Sequence, residues 1–145
     1  MIFEVGIISN NGINLVSKTF NEFNFKVKTD EQLKTGLLSA LVLLAESLFD
    51  DSVPSLRLKK YKILMFGLNL NRDKNIKEAI YCICDFSEED RYIKESMQKT
   101  LIDFLSRYGI KEKKNDITFY HDFKKQIEKN FQPYHQMENL QLLKQ

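Results

Sequence analysis

A chain of 145 residues with 43% hydrophobic and 29% charged side chains is sized for one globular domain that buries about two-thirds of its unfolded surface, and its composition is not that of a disordered chain. The 22 basic and 20 acidic residues, a net charge of +2, are too evenly balanced for a protein built around a polyanion, so nucleic acid is not an expected partner. No uninterrupted apolar run approaches the roughly 20 residues that span a bilayer, so an integral membrane protein is not expected.

The opening "MIFEVGIISN" lacks a basic leader and carries an acid inside its apolar stretch, which predicts a first strand rather than a signal peptide and a cytoplasmic protein. Asn11-Gly12 separates this run from the β-rich "INLVSKTF". That residue pair tolerates the positive φ angles of a type I′ turn, so the two runs form a hairpin. "NEFNFKVK" extends the second strand or links it to the next element.

Residues 29–51, "TDEQLKTGLLSALVLLAESLFDD", predict an amphipathic helix. Thr29 and Gln32 form a capping box, Asp30 and Glu31 suit the positive end of the dipole, and Pro54 prevents continuation. Advancing 100° per residue, Leu33, Leu37, Leu41, Leu44 and Leu48 make one stripe that faces the sheet. A second stripe, Leu38, Val42, Ala45 and Phe49, lies roughly 100° away, and it is the candidate partner-binding surface because an exposed apolar patch of that size marks a docking site. A curled sheet edge or the C-terminal tail is the alternative cover for it.

Three further strands follow: "SLRLKK", "YKILMFGLNL" and "EAIYCICDF", the last two paired across "NRDKN". Ser87 then stands as the N-cap of "EEDRYIKESMQKTLIDFLSRYG", whose Ile93, Met97, Leu101, Phe104, Leu105 and Tyr108 form one helical stripe. Gly109 suits the left-handed position after the helix. A third helical segment is capped by Asp116, carries Tyr120, Phe123, Ile127 and Phe131 on one side, and is broken by Pro133. Residues 134–145 are a helical or flexible tail. The order strand, strand, helix, three strands, helix, helix (β-β-α-β-β-β-α-α) predicts a single α+β domain over residues 1–145, with helices on both faces of one antiparallel sheet.

Chemistry is sparse. There is no GxxxxGK[ST] or GxGxxG, so no phosphate nest is written. His121 and His135 lack a second ligand at metal spacing and read as solvated or capping residues. Cys82 and Cys84 share one face of a strand about 6.5–7 Å apart, which suits two buried thiols better than a disulfide. No catalytic, metal or cofactor residue is assigned. Arg57, Lys59, Lys60 and Lys62 in "RLKKYK" are the densest basic patch. They serve either peripheral contact with an anionic membrane or acidic partner, or the defence of a sheet edge against strand pairing.

The run "MIFEVGIISNNGINLVSKTF" and the sequence "YKILMFG" to "AIYCICDFSEED", in this order of elements, resemble the longin-like superfamily, including roadblock-type domains and the sigma-type small adaptor chains. The resemblance implies a five-stranded antiparallel sheet in a longin- or profilin-like arrangement, with the first helix on one face and the later helices on the other. It also implies a non-enzymatic scaffold or adaptor module of small-GTPase regulation or vesicle trafficking. Its partners would then be a small GTPase or another longin or roadblock subunit, with a homodimer as a further alternative. The abundance of Lys, Asn and Ile suits an AT-rich genome such as an archaeal one. The competing expectations are a self-associating structural subunit, or a small ligand-binding domain or enzyme using Tyr120, His121 and Tyr134 as polar handles beneath the last helix.

Overall fold

The computed structural model of the protein describes residues 1–9, 13–20, 55–67, 78–108 and 117–132. Five strands form one antiparallel sheet: β1 (Ile2–Ile8), β2 (Asn14–Thr19), β3 (Ser55–Arg57), β4 (Tyr61–Gly67) and β5 (Ala79–Asp85), in the order β2-β1-β5-β4-β3. Helix α1 spans Asp90–Tyr108, a 3₁₀ segment spans Ile117–Phe123, and α2 follows directly over residues 124–132.

Strands β1 and β5 lie at the centre of the sheet, and their sequences show it. All seven residues of β1 and the inner five of β5 are buried, as expected for strands covered on both faces, which read as apolar runs rather than as strict alternation. A register irregularity between Ile2 and Glu4 inserts an extra residue, so Ile2 and Val5 reach the same face although three positions apart.

One core cluster joins that face to the helices. Val5, Ile7, Leu64, Ile80, Cys82 and Cys84 meet Ile93, Met97, Leu101 and Phe104 of α1 and Tyr120, Phe123, Ile127 and Phe131 of the C-terminal segment. Both predicted stripes are therefore the buried faces. The rings of Phe104, Tyr108, Tyr120 and Phe123 pack with centroids 4.9–5.4 Å apart where they touch Phe104 or join Tyr108 to Tyr120, in the tilted and edge-on arrangements that aromatic quadrupoles favour. The 3₁₀ onset explains how one stripe survives a change of helix type: Tyr120 and Phe123, three apart, align where there are three residues per turn, and Ile127 and Phe131 follow at α spacing.

The opposite face of the sheet is buried as well, with Ile8, Met65, Tyr81 and Ile83 as a second cluster. The helix expected over residues 29–51, the Asn11-Gly12 turn, the Gly109 and Asp116 caps and the tail 134–145 lie outside the described residues. The strand expected over "SLRLKK" is shorter, since β3 ends at Arg57 and Leu58 already turns, its amide donating to Tyr61 O at 2.8 Å.

Ser87 is not the N-cap of α1. The first intrahelical bond runs from Ile93 N to Glu89 O (3.4 Å), which puts Glu89 at the cap position. Ser87 is instead drawn to the end of β5, where its amide and hydroxyl both donate to Asp85 Oδ1. The first turn carries one acid, Asp90, at the positive end of the helix dipole.

Candidate partner-binding site

The four residues expected to form the docking stripe, Leu38, Val42, Ala45 and Phe49, lie outside the described residues. The described surface offers two sheet edges, β2 and β3, and one end of the sheet where charges converge.

At that end the close of β3, the start of β4, the close of β5 and the start of α1 meet. Lys62 is buried (3% exposed), and its Nζ donates to Asp90 Oδ1 and to Glu88 O, both at 2.5 Å. Arg57 Nη2 donates to the other oxygen, Asp90 Oδ2, at 2.6 Å. The hydrogen bond from Lys62, aided by the positive charges of Lys62, Arg57 and Lys94, holds the Asp90 carboxyl below its ordinary range against the opposing effect of burial. Beside it, the Met1 amino group donates to Asp85 Oδ1 (2.7 Å), Ser87 Oγ (2.8 Å) and Glu88 Oε1 (3.0 Å). Burial works to raise the Asp85 carboxyl, but hydrogen bonds from the Met1 amino group and Ser87 outweigh it and bring the group down.

The basic patch is thereby divided, and its expected membership corrected. Lys62 is no surface cation: it lies in β4 opposite Cys84, on the same side of the strand as Leu64, and faces the helix layer. Arg57 lies in the edge strand, exposed but bound to Asp90. Of these four residues, Lys59 and Lys60, in the β3–β4 turn, are the ones exposed without an ion pair to a described residue. The period of two in "YKILMFG" contained the signal, since it sets Lys62, Leu64 and Phe66 on one face.

The chemical candidates do not converge. Cys82 and Cys84 are free and buried, as expected, and burial pushes the Cys82 thiol well up, away from reactivity. Tyr120 is buried in the aromatic cluster while His121 is exposed, so the polar handles of a pocket beneath the last helix point apart; Tyr134 lies outside the described residues. Among the described residues no cluster of three or more His, Cys, Asp or Glu is placed to hold a metal. A shallow open groove bordered by Phe20, Lys125, Glu128, Lys129 and Gln132 lies beside α2. No described helix is long and apolar enough to cross a membrane.

Two polar groupings had no reading from sequence. On the second sheet face, Tyr81 OH donates to Glu4 Oε2 at 2.7 Å and accepts from Asn14 Nδ2 at 3.3 Å, all three residues being buried. Between the helices, Asn130 Nδ2 donates to Thr100 Oγ1 and to Asp103 Oδ2, each at 3.0 Å, while Gln126 Nε2 donates to Asn130 Oδ1 at 3.0 Å. Both groupings hold packed elements in register, as satisfied buried networks do.

The sheet order β2-β1-β5-β4-β3, with α1 and the C-terminal helical segment against one face, is consistent with the roadblock/longin fold. No family model matches the sequence, and no curated protein matches it. Among solved structures the chain is similar to Myxococcus xanthus MglB, a roadblock/longin-fold protein, with a TM-score of 0.51 and 16% identity over 72% of this chain and 85% of that one. At that identity the likeness establishes the fold.

Proposed function

We propose that the protein is a non-enzymatic roadblock/longin adaptor of the cytoplasm. It binds a small GTPase or another roadblock/longin subunit, in GTPase regulation or vesicle trafficking. The observation that carries this is the fold, a five-stranded sheet in the order β2-β1-β5-β4-β3 with helices against one face, in a chain whose overall structure is similar to MglB. Two features support it. The apolar stripe of Leu38, Val42, Ala45 and Phe49 suits docking by a partner, and the charged groups that converge at the end of the sheet, Lys62, Arg57 and Asp90, are engaged in structural pairs.

The partner meets the chain through Leu38, Val42, Ala45 and Phe49 rather than through the β3 edge, which is three residues long, ends on Arg57 and runs into Lys59 and Lys60. Capture from native lysate by the wild-type chain and by a Leu38→Asp, Val42→Asp variant, read by mass spectrometry, tests it. A GTPase or roadblock/longin protein enriched on the wild type alone is the expected result; no such enrichment discards the proposal. Sedimentation at several concentrations separates the self-associating alternative, for which a stable homodimer without other partners is the signature.

A further inference from the structure

We infer that the β3–β4 turn is a contact point for anionic lipid. The turn carries Leu58, Lys59 and Lys60 between β3 and β4 at the end of the sheet. Leu58 is 52% exposed, so much of its apolar side chain is open to solvent in the turn. Lys59 and Lys60 follow it, exposed and without ion pairs among the described residues. Phe86, 47% exposed, lies at the same sheet end, its ring 5.9 Å from the Arg57 guanidinium and 5.8 Å from Lys62 Nζ.

The local charge is what makes lipid the fitting partner. Asp85 and Glu88 are bonded to the Met1 amino group, and Asp90 to Lys62 and Arg57, so these three acids are answered within the fold and do not cancel the two lysines of the turn. Glu89 is the remaining acid of that segment. An acidic peptide would need a strand partner over several residues to hold its backbone, and the β3 edge that leads into the turn is three residues long. A layer of anionic headgroups over hydrocarbon takes an apolar side chain beside two long cationic ones, whose stems lie along the boundary while the ammonium groups stay among the phosphates. Two lysines and one leucine give weak, reversible and salt-sensitive contact, of the kind that adds to a second, protein-mediated attachment. The contact is independent of the adaptor proposal, since it uses none of the residues assigned to the protein partner.

The chain contains no tryptophan, so Leu58→Trp creates a single reporter in the turn. The probe is phosphatidylcholine vesicles with or without phosphatidylserine, at millimolar lipid and low salt. The expected result is a blue shift of the emission of that introduced indole, and co-flotation of the unaltered chain, with phosphatidylserine vesicles only. A Lys59→Glu, Lys60→Glu variant would lose about tenfold or more of the binding, with an unchanged circular dichroism spectrum. Emission that does not shift, flotation that ignores the charge reversal, or equal binding to neutral vesicles overturns the inference. So does capture of the unaltered chain by polyglutamate as strongly as by phosphatidylserine vesicles, which would mark the turn as a site for acidic polypeptide.

Discussion

Gly6 and Tyr81 face each other across β1 and β5, and a Cβ on Gly6 would lie 2.5 Å from Cε1, Cζ and Oη of the Tyr81 ring. The glycine is there to seat the ring. Tyr81 is fully buried, with its hydroxyl fixed between Glu4 and Asn14, so it has no free end to swing away.

Gly6→Ala is therefore expected to destabilise the domain by about 1–3 kcal/mol, the usual cost of forcing a methyl group into a packed site. Urea unfolding measures it. An unchanged midpoint would mean that the ring has room to shift, and that the fit of Tyr81 over Gly6 is not a constraint.

The Lys62–Asp90 pair sets an acid limit on stability. The folded-state carboxyl of Asp90 lies below its ordinary value of 3.8. Its contribution is therefore complete above the unfolded value and lost as the pH falls through the depressed folded value. Wild type is expected to lose stability faster than Asp90→Asn as the pH drops below about 4, while above pH 5 the Asn variant is uniformly the less stable of the two. Asp90 is about one-quarter exposed, so the difference is smaller than for a wholly buried pair. Thermal unfolding of both proteins from pH 2 to 7 decides it, and parallel curves would show that the pair contributes nothing pH-dependent.

Asn130 joins α2 to α1 through Thr100 and Asp103. Asn130→Leu removes both donated bonds and leaves buried Thr100 without that donor, which is expected to cost about 1–3 kcal/mol. Because the two side chains act together, the double variant Asn130→Leu, Thr100→Val should cost less than the sum of the singles. Strict additivity in a denaturation cycle would show that the bond is not a coupled unit.

Residues 29–51 carry the sharpest contrast between two apolar stripes. Leu41→Asp is expected to unfold the domain, since a carboxylate buried without a partner costs several kcal/mol against a total stability of about 5–15. Leu38→Asp with Val42→Asp is expected to leave it folded. Circular dichroism and size exclusion compare the two, and unfolding of the Leu38/Val42 variant would place the second stripe in the core.

The periodic elements could be read without coordinates. The stripes from Ile93 to Tyr108 and from Tyr120 to Phe131 were legible because burial of one helix face imposes a period near 3.6 on the apolar residues, and the strands because they read as alternation or, where both faces are covered, as short apolar runs bounded by turns. The facing thiols of Cys82 and Cys84 followed from the strand period of 2. Whatever depends on which elements become neighbours emerged only once the chain was folded. Lys62 looked like one of four surface cations until β4 was set beside α1, where Asp90, 28 residues away in sequence, neutralises it. Ser87 had the side chain of a helix cap, but a local preference of about 1 kcal/mol gives way when Asp85 and the Met1 amino group lie within hydrogen-bonding distance. The Gly6–Tyr81 fit and the Thr100–Asn130 bond were likewise hidden, because a contact between residues 75 or 30 positions apart leaves no mark on the spacing of either segment.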